Sequence, residues 1–195
     1  MPGRSTARST VARMHTRMSP MKAYEFSIVA SGPDPHADDF EARFYDNGCD
    51  DALVSFQKGR VILDFIREAV SVDQAIASAI ENVMATGAVV ERIEPDPLVS
   101  LAEISDRTGL TRAAVSLYAK GDRGEGFPAP VAKVTGDRPL WLWPSVAQWL
   151  FQRKQLSREA VIEALVIQEA NEAVASGAKS LGKRLKRCAE IPLAA

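Results

Sequence analysis

Residues 100–120 read SLAEISDRTGLTRAAVSLYAK, two stretches of helical pattern on either side of Gly109. Ser100 and Glu103 form a capping box, which favours the start of a helix. Thr111 is a good N-cap for a second helix, because its hydroxyl can accept a hydrogen bond from the first turn. A helix, a short turn with glycine and a second helix form a helix-turn-helix unit. The predicted helices are 101–108 and 112–120.

The apolar positions of the two helices fit this unit one by one. The residues expected to fill the junction between the helices are Ile104, Ser105, Leu110, Val115 and Tyr118. Each has the size and polarity that a packed junction needs. Thr108 departs from the pattern, since an apolar residue is usual there.

A hairpin and a third helix are predicted to follow. Phe127-Pro128-Ala129-Pro130 interrupts regular structure. Residues 131–135 and 139–143 then predict two strands around Gly136-Asp137-Arg138, which together would form a wing. Pro144 favours the first turn of another helix. That helix carries Ser145, Val146, Trp149 and Leu150.

Residues 98–150, about a quarter of the chain, resemble the excisionase-like and MerR-like winged helix-turn-helix domains. The resemblance rests on TGLTRAAVSLYAKG, then RGEGFPAP, then the hairpin, then WPSVAQWL. It implies that the second helix enters the major groove of DNA and that the wing touches the backbone or the minor groove. The ordered series of elements is more specific than any single piece of it.

The resemblance also implies which residues would contact DNA. The outward face of the reading helix would consist of Thr111, Arg112, Ala113, Ser116 and Lys120. Arg112 is the best candidate for a base edge, because its fork matches guanine O6 and N7. Thr111 and Ser116 suit phosphate or base contacts. The phosphate candidates, each of which could equally be a solvated surface charge, are Lys120, Arg123, Lys133 and Arg138.

The aromatic residues of this stretch have two interpretations each. Tyr118 could reach a phosphate with its hydroxyl or pack in the core, and we count it among the candidate DNA contacts. Trp141, Trp143 and Trp149 fit the core better than base stacking.

Residues 21–95 alternate between strand and helix patterns in the order β-α-β-β-α-β, which is the ferredoxin-like arrangement. The first predicted element is a strand through Tyr24, Phe26 and Ile28. A short helix follows, which Asp34-Pro35 opens, which carries Phe40 and Phe44, and which Asn47-Gly48 ends. Strands 52–57 and 61–67 come next and are joined by Lys58-Gly59. The predicted class is therefore α+β, with this domain followed by a winged helix-turn-helix and a C-terminal helix.

A second helix and a last strand complete this domain. Ser71 and Gln74 predict a capping box at the start of the helix, and Gly87 predicts its end. Residues 88–93 form the predicted last strand, closed by Pro95 and Pro97. The apolar face of the helix consists of Val72, Ile76, Ile80, Val83 and Met84.

RNA-recognition motifs share this order of elements, so RNA binding is an alternative. Their third strand carries Lys/Arg-Gly and then aromatic residues that stack on bases. The matching run here is KGRVILDF, residues 58–65, in which Arg60 and Ile62 occupy the two inner stacking positions. Only Phe65 and the Lys-Gly pair fit. Because the domain is also acidic, the sequence favours a sheet that serves folding and self-association over one that binds RNA.

The net charge of −1 is unevenly distributed. Residues 1–20 carry +4, residues 21–95 carry −8, residues 96–150 are neutral and residues 151–195 carry +3. Because affinity for DNA rises with the number of neutralised phosphates, a neutral monomeric domain would bind feebly. We therefore expect a homodimer, formed through the ferredoxin-like sheet or through a C-terminal helix. The apolar stripe of that helix consists of Val161, Ile162, Leu165, Val166 and Ala170.

The two ends of the chain keep several interpretations. Residues 1–20 are rich in Arg, Ser and Thr, which fits a disordered tail, a segment upstream of a true start at Met21, a basic DNA-binding arm or a transit peptide. Residues 179–187, with Lys183, Arg184, Lys186 and Arg187, could add DNA affinity or form a disordered solubilising tail. The predicted divisions are 1–20, 21–95, 98–150 and 151–195.

Several function classes find no support in the sequence. It has no glycine-rich phosphate loop, no nucleophile near a histidine and no metal-ligand spacing, so we expect no enzyme, cofactor or metal. Cys49 and Cys188 lack motif spacing, which fits a reducing cytoplasm. No apolar run is long enough to predict a transmembrane helix. An acidic cluster could bind a divalent cation or form a solvated face, and its members are Asp34, Asp38, Asp39, Asp46, Asp50 and Asp51.

Two functional hypotheses follow. The first is a sequence-specific double-stranded DNA-binding regulator at the bacterial nucleoid, whose N-terminal domain dimerises, senses a ligand or binds a protein partner. The second is a non-enzymatic interaction protein, such as an antitoxin or adaptor, whose helix-turn-helix contacts protein instead of DNA.

Overall fold

The computed structural model describes residues 20–178 and 180–193. Predictions made for residues 1–19 and for Lys179 lie outside these ranges. The described residues form a mixed α+β structure with one four-stranded antiparallel sheet, one two-stranded sheet and seven helices. In chain order the elements are β1 (Lys22–Ser31), α1 (Phe40–Asp46), β2 (Ala52–Gln57), β3 (Arg60–Ala69), α2 (Val72–Ala85), β4 (Val89–Glu94), β5 (Leu98–Val99), α3 (Leu101–Thr108), α4 (Arg112–Lys120), β6 (Trp141–Leu142), α5 (Trp143–Gln152), α6 (Arg158–Ala175) and α7 (Leu181–Ala189).

The four-stranded sheet has the order β2-β3-β1-β4, and every neighbouring pair is antiparallel. Alternation of apolar and polar residues gives it one buried face, on which Phe26 stacks on Phe65 with ring centroids 5.3 Å apart. Helices α1 and α2 contribute Phe44 and Ile76 to the same core. The opposite face of β1 and β3 carries no aromatic side chain, and Phe65 is buried on the core side, so these two strands lack the exposed aromatic residues of an RNA-recognition motif.

Three details of this region differ from the sequence prediction. Helix α1 begins at Phe40 and not at Asp34, because the Asp34 carboxylate accepts a hydrogen bond from the His36 N–H (3.0 Å) and closes a turn instead. The predicted capping box at Ser71 does not form, since its side chain makes no capping hydrogen bond. Met84 lies one step beyond the buried stripe of α2 and is 58% exposed.

A second core lies around α3, α4 and α5. Both helices of the predicted helix-turn-helix have the predicted bounds. Ile104 on α3 and Val115 on α4 are fully buried. The tryptophans at positions 141, 143 and 149 belong to this core, as predicted.

The predicted two-stranded wing is wrong in its extent. Only an isolated bridge between Ala132 and Leu140 joins the two arms of the loop. Lys133 has a φ of 50°, and its carbonyl accepts a hydrogen bond from the Gly136 N–H (3.0 Å), so the chain turns away directly after the bridge. The following strand, β6, pairs instead with β5, the strand at the start of this unit.

Helix α6 is buried on two sides within the chain. Ile162, Val166 and Ala170 belong to the core beneath the sheet, whereas Val161 and Ala164 belong to the core of the helix-turn-helix unit. The apolar stripe that the sequence suggested for a dimer contact is therefore used inside the chain. Residues 181–189 are also a helix and not a tail, with Leu185 and Cys188 buried against the first core.

Asn171 joins α6 to the edge of the four-stranded sheet. Its side-chain oxygen accepts a hydrogen bond from the Ile93 N–H (2.9 Å), and its amide nitrogen donates to the Ile93 carbonyl (2.9 Å). One side chain thereby satisfies both free backbone groups of Ile93 on strand β4, as a neighbouring strand would do.

Arg67 is a buried arginine on β3 that makes hydrogen bonds to several neighbouring segments. Its guanidinium donates to both carboxylate oxygens of Asp51 (2.7 Å each) and to the Gly48 carbonyl (2.6 Å). It also donates to Ser78 (3.1 Å) and Asn82 (2.8 Å) on α2. The loop after α1, the sheet and α2 are thus held by one cation, and part of the acidic cluster is paired with it.

Replacement of Asn171 with Ala should lower the free energy of unfolding by about 1–3 kcal/mol, because Ile93 keeps two partly buried polar groups without a partner. Urea unfolding measures the loss. Glu172→Ala, an exposed position on the same helix, is the matched control and should change stability little. Equal stability of the two variants would show that the Asn171 contact is not structurally important.

A pH dependence should arise from Glu163, because its burial raises the pKa of its carboxyl, while the charge of Arg107 lowers it to a smaller extent. When a carboxyl has a higher pKa in the folded chain than in the unfolded chain, the folded chain loses stability as the pH rises from the lower pKa to the higher one. The stability of Glu163→Gln relative to the natural chain should therefore increase from pH ~4 to pH ~8. Urea titrations at both pH values test this, and a difference that decreases with pH would contradict it.

Candidate nucleic-acid interface

Local capping interactions set the geometry of α3 and α4. The Ser100 side chain accepts a hydrogen bond from the Glu103 N–H (3.3 Å), while the Glu103 carboxylate accepts from the Ser100 N–H (2.7 Å). These Ser100 hydrogen bonds hold the pKa of Glu103 below its ordinary value. Gly109 ends α3 in the left-handed region (φ 70°), and Thr111 caps α4 by accepting from the Ala114 N–H (3.2 Å).

The candidate contacts on α4 lie where the sequence predicted them, with one exception. Thr111, Arg112, Ala113 and Lys120 are exposed, and Ser116 is half-buried. The N-terminal end of α4 therefore presents a guanidinium, a hydroxyl and a small side chain to solvent.

Tyr118 is the exception, since it is 4% exposed and lies in the core. Its ring packs edge-on against Trp149 with centroids 4.9 Å apart, and its hydroxyl accepts a hydrogen bond from the Gln155 side chain (3.2 Å). Of the two interpretations open for Tyr118, core packing is the one that the structure has.

The loop after α4 carries the remaining candidates, and Arg123, Lys133 and Arg138 are all exposed. Two indoles hold the loop down: the Trp141 Nε1–H donates to the Pro128 carbonyl (3.0 Å), and the Trp149 Nε1–H donates to the Glu125 carbonyl (3.1 Å). The cations of this loop are thus presented by a backbone that the core fixes in place.

Electrostatically the surface is mixed. Among the described residues, no ion pair within 4.0 Å engages any of the five candidate cations of α4 and its loop, which are Arg112, Lys120, Arg123, Lys133 and Arg138. These cations can therefore meet a phosphate without first breaking a salt bridge. Asp122, Glu125 and Asp137 are exposed in the same loop and reduce the positive field.

Sequence reasoning missed two features of this surface. Leu117 is 40% exposed on α4, and Val131 and Val134 are 58% and 60% exposed in the loop. Helical spacing could have shown that Leu117 is exposed, because it directly follows Ser116 of the predicted outward face. Nothing in the sequence revealed that Arg153 lies over the Trp149 ring, with its guanidinium carbon 3.7 Å from the centroid.

Three further observations on the described residues concern acidic side chains, cysteines and helix length. Within residues 20–178 and 180–193, no group of three or more His, Cys, Asp or Glu side chains is arranged to hold a metal ion. Cys49 and Cys188 are both free and buried, and burial raises the pKa of each thiol to about 11. None of the helices in the described part of the chain is both long and apolar enough to cross a membrane.

No protein family, curated protein or solved structure matches the chain.

Two glycines of this loop offer a matched test of how it packs. Both Gly121 (φ 78°) and Gly124 (φ 71°) have left-handed backbones, so alanine is strained at either position. A Cβ on Gly124 would lie 3.0 Å from the Trp149 ring and 3.1 Å from the Tyr118 ring, whereas a Cβ on Gly121 meets nothing within 4 Å. Gly124→Ala should therefore lower the free energy of unfolding by about 1–3 kcal/mol more than Gly121→Ala. Equal losses in urea unfolding would mean that the loop does not pack on these rings.

Proposed function

We propose that the chain is a sequence-specific double-stranded DNA-binding protein that regulates transcription, with α4 as the reading helix. The observation that carries the proposal is the exposed N-terminal end of α4, where Thr111 and Arg112 stand free while Val115 and Ile104 fix the helix from below. The N-terminal residues of a reading helix are those that meet base edges in the major groove. The function is binding and not catalysis, and it is exercised in the cytoplasm.

We assign the four-stranded unit to the ferredoxin-like arrangement, and the support is its sheet order with α1 between β1 and β2 and α2 between β3 and β4. We assign residues 98–150 to the winged helix-turn-helix class. The support is the α3–turn–α4 pair followed by a bridged loop and by α5.

We further propose that the protein acts as a homodimer. The reading region is neutral, so one copy offers few net phosphate contacts, and a second copy doubles them. With the stripe of α6 buried inside the chain, the open face of the sheet is the better dimer contact, and Leu53 and Ile66 are 70% and 62% exposed there. The same face could alternatively receive a protein partner.

One observation favours the interaction-protein alternative. Leu117, Val131 and Val134 expose apolar side chains beside the reading face, and apolar surface of this kind suits a protein contact more than a phosphate backbone. If this alternative holds, α4 contacts protein and the chain has no affinity for duplex DNA even at low salt.

A salt titration of binding to random duplex DNA separates the two functions. The DNA-binding proposal expects measurable binding at low salt that weakens steeply as salt is added, because phosphate contacts release counterions. Fluorescence anisotropy with a labelled random duplex measures it. No binding at the lowest salt concentration would overturn the proposal.

Arg112→Ala should weaken binding to a selected specific site by about 1–3 kcal/mol, the value expected for a bidentate base contact. A specific site can be obtained by selection from a random DNA pool. Arg43→Ala, an exposed arginine on α1 that pairs with Asp39, is the control and should bind as the natural protein does. An equal loss on specific and random DNA would make Arg112 a phosphate contact and not a reader of sequence.

A further inference from the structure

A cleft of about 280 Å³ lies between the four-stranded unit and the helix-turn-helix unit. It is lined by Pro95 and Pro97 after β4, by Arg107 from α3, by Trp143 from α5 and by one side of α6. Most of the lining is apolar, and the two ionisable side chains in it are Arg107 and Glu163. The cleft is thus a concave apolar site with two polar groups, which is the usual form of a small-molecule site.

Arg107 lines the cleft, and one of its hydrogen-bond donors has no partner among the described residues. Its Nη2 donates to the Asp96 carbonyl (2.9 Å), and its guanidinium carbon lies 5.3 Å from the centroid of the Trp143 ring. Its Nη1 is buried and donates to no acceptor of the described protein. A buried charged donor without an acceptor is unfavourable, so a ligand oxygen that reached Nη1 after a small shift of the Arg107 side chain would recover the missing interaction.

Glu163 supplies the complementary group from α6. Its carboxylate and the Arg107 guanidinium do not form an ion pair, for which the limit is 4.0 Å. The charge of each group nevertheless shifts the pKa of the other. Around them Leu156, Ala160 and Ile167 form an apolar wall. The same cleft is therefore lined by a donor for an anion, an acceptor for a polar hydrogen and a surface for an alkyl group.

We propose that this cleft binds a small apolar carboxylate that carries an amino or hydroxyl group next to the carboxylate. The carboxylate accepts hydrogen bonds from Arg107, whose planar fork suits a carboxylate better than a point charge does. The neighbouring amino or hydroxyl group donates to Glu163, and the alkyl group packs on the apolar wall. This ligand site does not depend on DNA binding.

The test uses four probes of similar shape: L-leucine, 2-hydroxy-4-methylpentanoate, 4-methylpentanoate and L-leucinamide. Binding to the full chain is followed by ¹H–¹⁵N NMR, in which the Trp143 indole and the amides of Ala160 and Ala164 report on the cleft. The two probes with both groups should bind most tightly, 4-methylpentanoate more weakly, and leucinamide, which lacks the carboxylate, most weakly of all. Absence of shifts with every probe at about 10 mM, a concentration at which even millimolar sites bind, would overturn the proposal. Equal binding of leucine and leucinamide would do the same.

Variants assign the two polar roles. Arg107→Met should weaken binding of the carboxylate probes at least about tenfold. Arg153→Met is the matched control, because Arg153 also lies over an indole and donates to a backbone carbonyl but does not line the cleft. Glu163→Gln should reduce the advantage of 2-hydroxy-4-methylpentanoate and leucine over 4-methylpentanoate. Unchanged affinity of Arg107→Met would contradict the assignment.

A variant that fills the cleft provides a second test if Arg107→Met does not fold. Ala160→Phe places a ring in the cleft and leaves Arg107 and Glu163 in place. It should abolish the probe-induced shifts, while far-UV circular dichroism shows that the fold persists. Shifts that survive in a folded Ala160→Phe protein would locate the binding elsewhere and overturn the proposal.

Discussion

The double burial of helix α6 is the constraint on which the rest of the structure depends. Val166 faces the core beneath the sheet and Val161 faces the core of the helix-turn-helix unit, so the same 18-residue helix completes both. Asn171 fixes the helix to the edge of β4 through two hydrogen bonds. Because close-packed cores resist sliding, the two units are held in one relation to each other, and the cleft with Arg107 and Glu163 lies where they meet.

The parts of the fold that the sequence predicted well are those with local causes. The bounds of α3 and α4 follow from Ser100, Gly109 and Thr111, each of which acts on backbone groups within a few residues. Strand β2 was predicted correctly for the same reason, since alternation and the Lys58-Gly59 turn are local signals. The errors have distant or geometric causes.

The wing illustrates such a cause. The stretch 139–143 has a strand pattern, but only Leu140 bridges the adjacent arm of the loop. Trp141 and Leu142 pair instead with β5, about 40 residues earlier in the chain. Trp141 is buried and donates to the Pro128 carbonyl, which draws the chain towards the core. The stripe of α6 was misassigned similarly: its apolar residues were visible in the sequence, but the surface that covers them was not.

The candidate site was predictable to a similar degree. Helical periodicity was enough to place Arg112 and Lys120 on the exposed face of α4. It could not decide whether Tyr118 packs in the core or contacts a phosphate, because an amphipathic tyrosine fits both interpretations. Arg107 escaped notice because a sequence shows a lone arginine as a surface charge. Its surroundings are set by Asp96, Trp143 and Glu163, which come from three other segments of the chain.

The rigid relation between the units also bears on how a neutral reading region would hold DNA. Lys183, Lys186 and Arg187 are exposed on α7, but Leu185 and Cys188 fix that helix to the core beneath the sheet. These cations therefore cannot reach out to phosphate as a free tail would. In the proposed complex with DNA, they add to affinity only if the duplex on α4 passes close to α7. If it does not, the proposed DNA binding needs further phosphate contacts from the basic residues 1–20 or from a second copy of the chain.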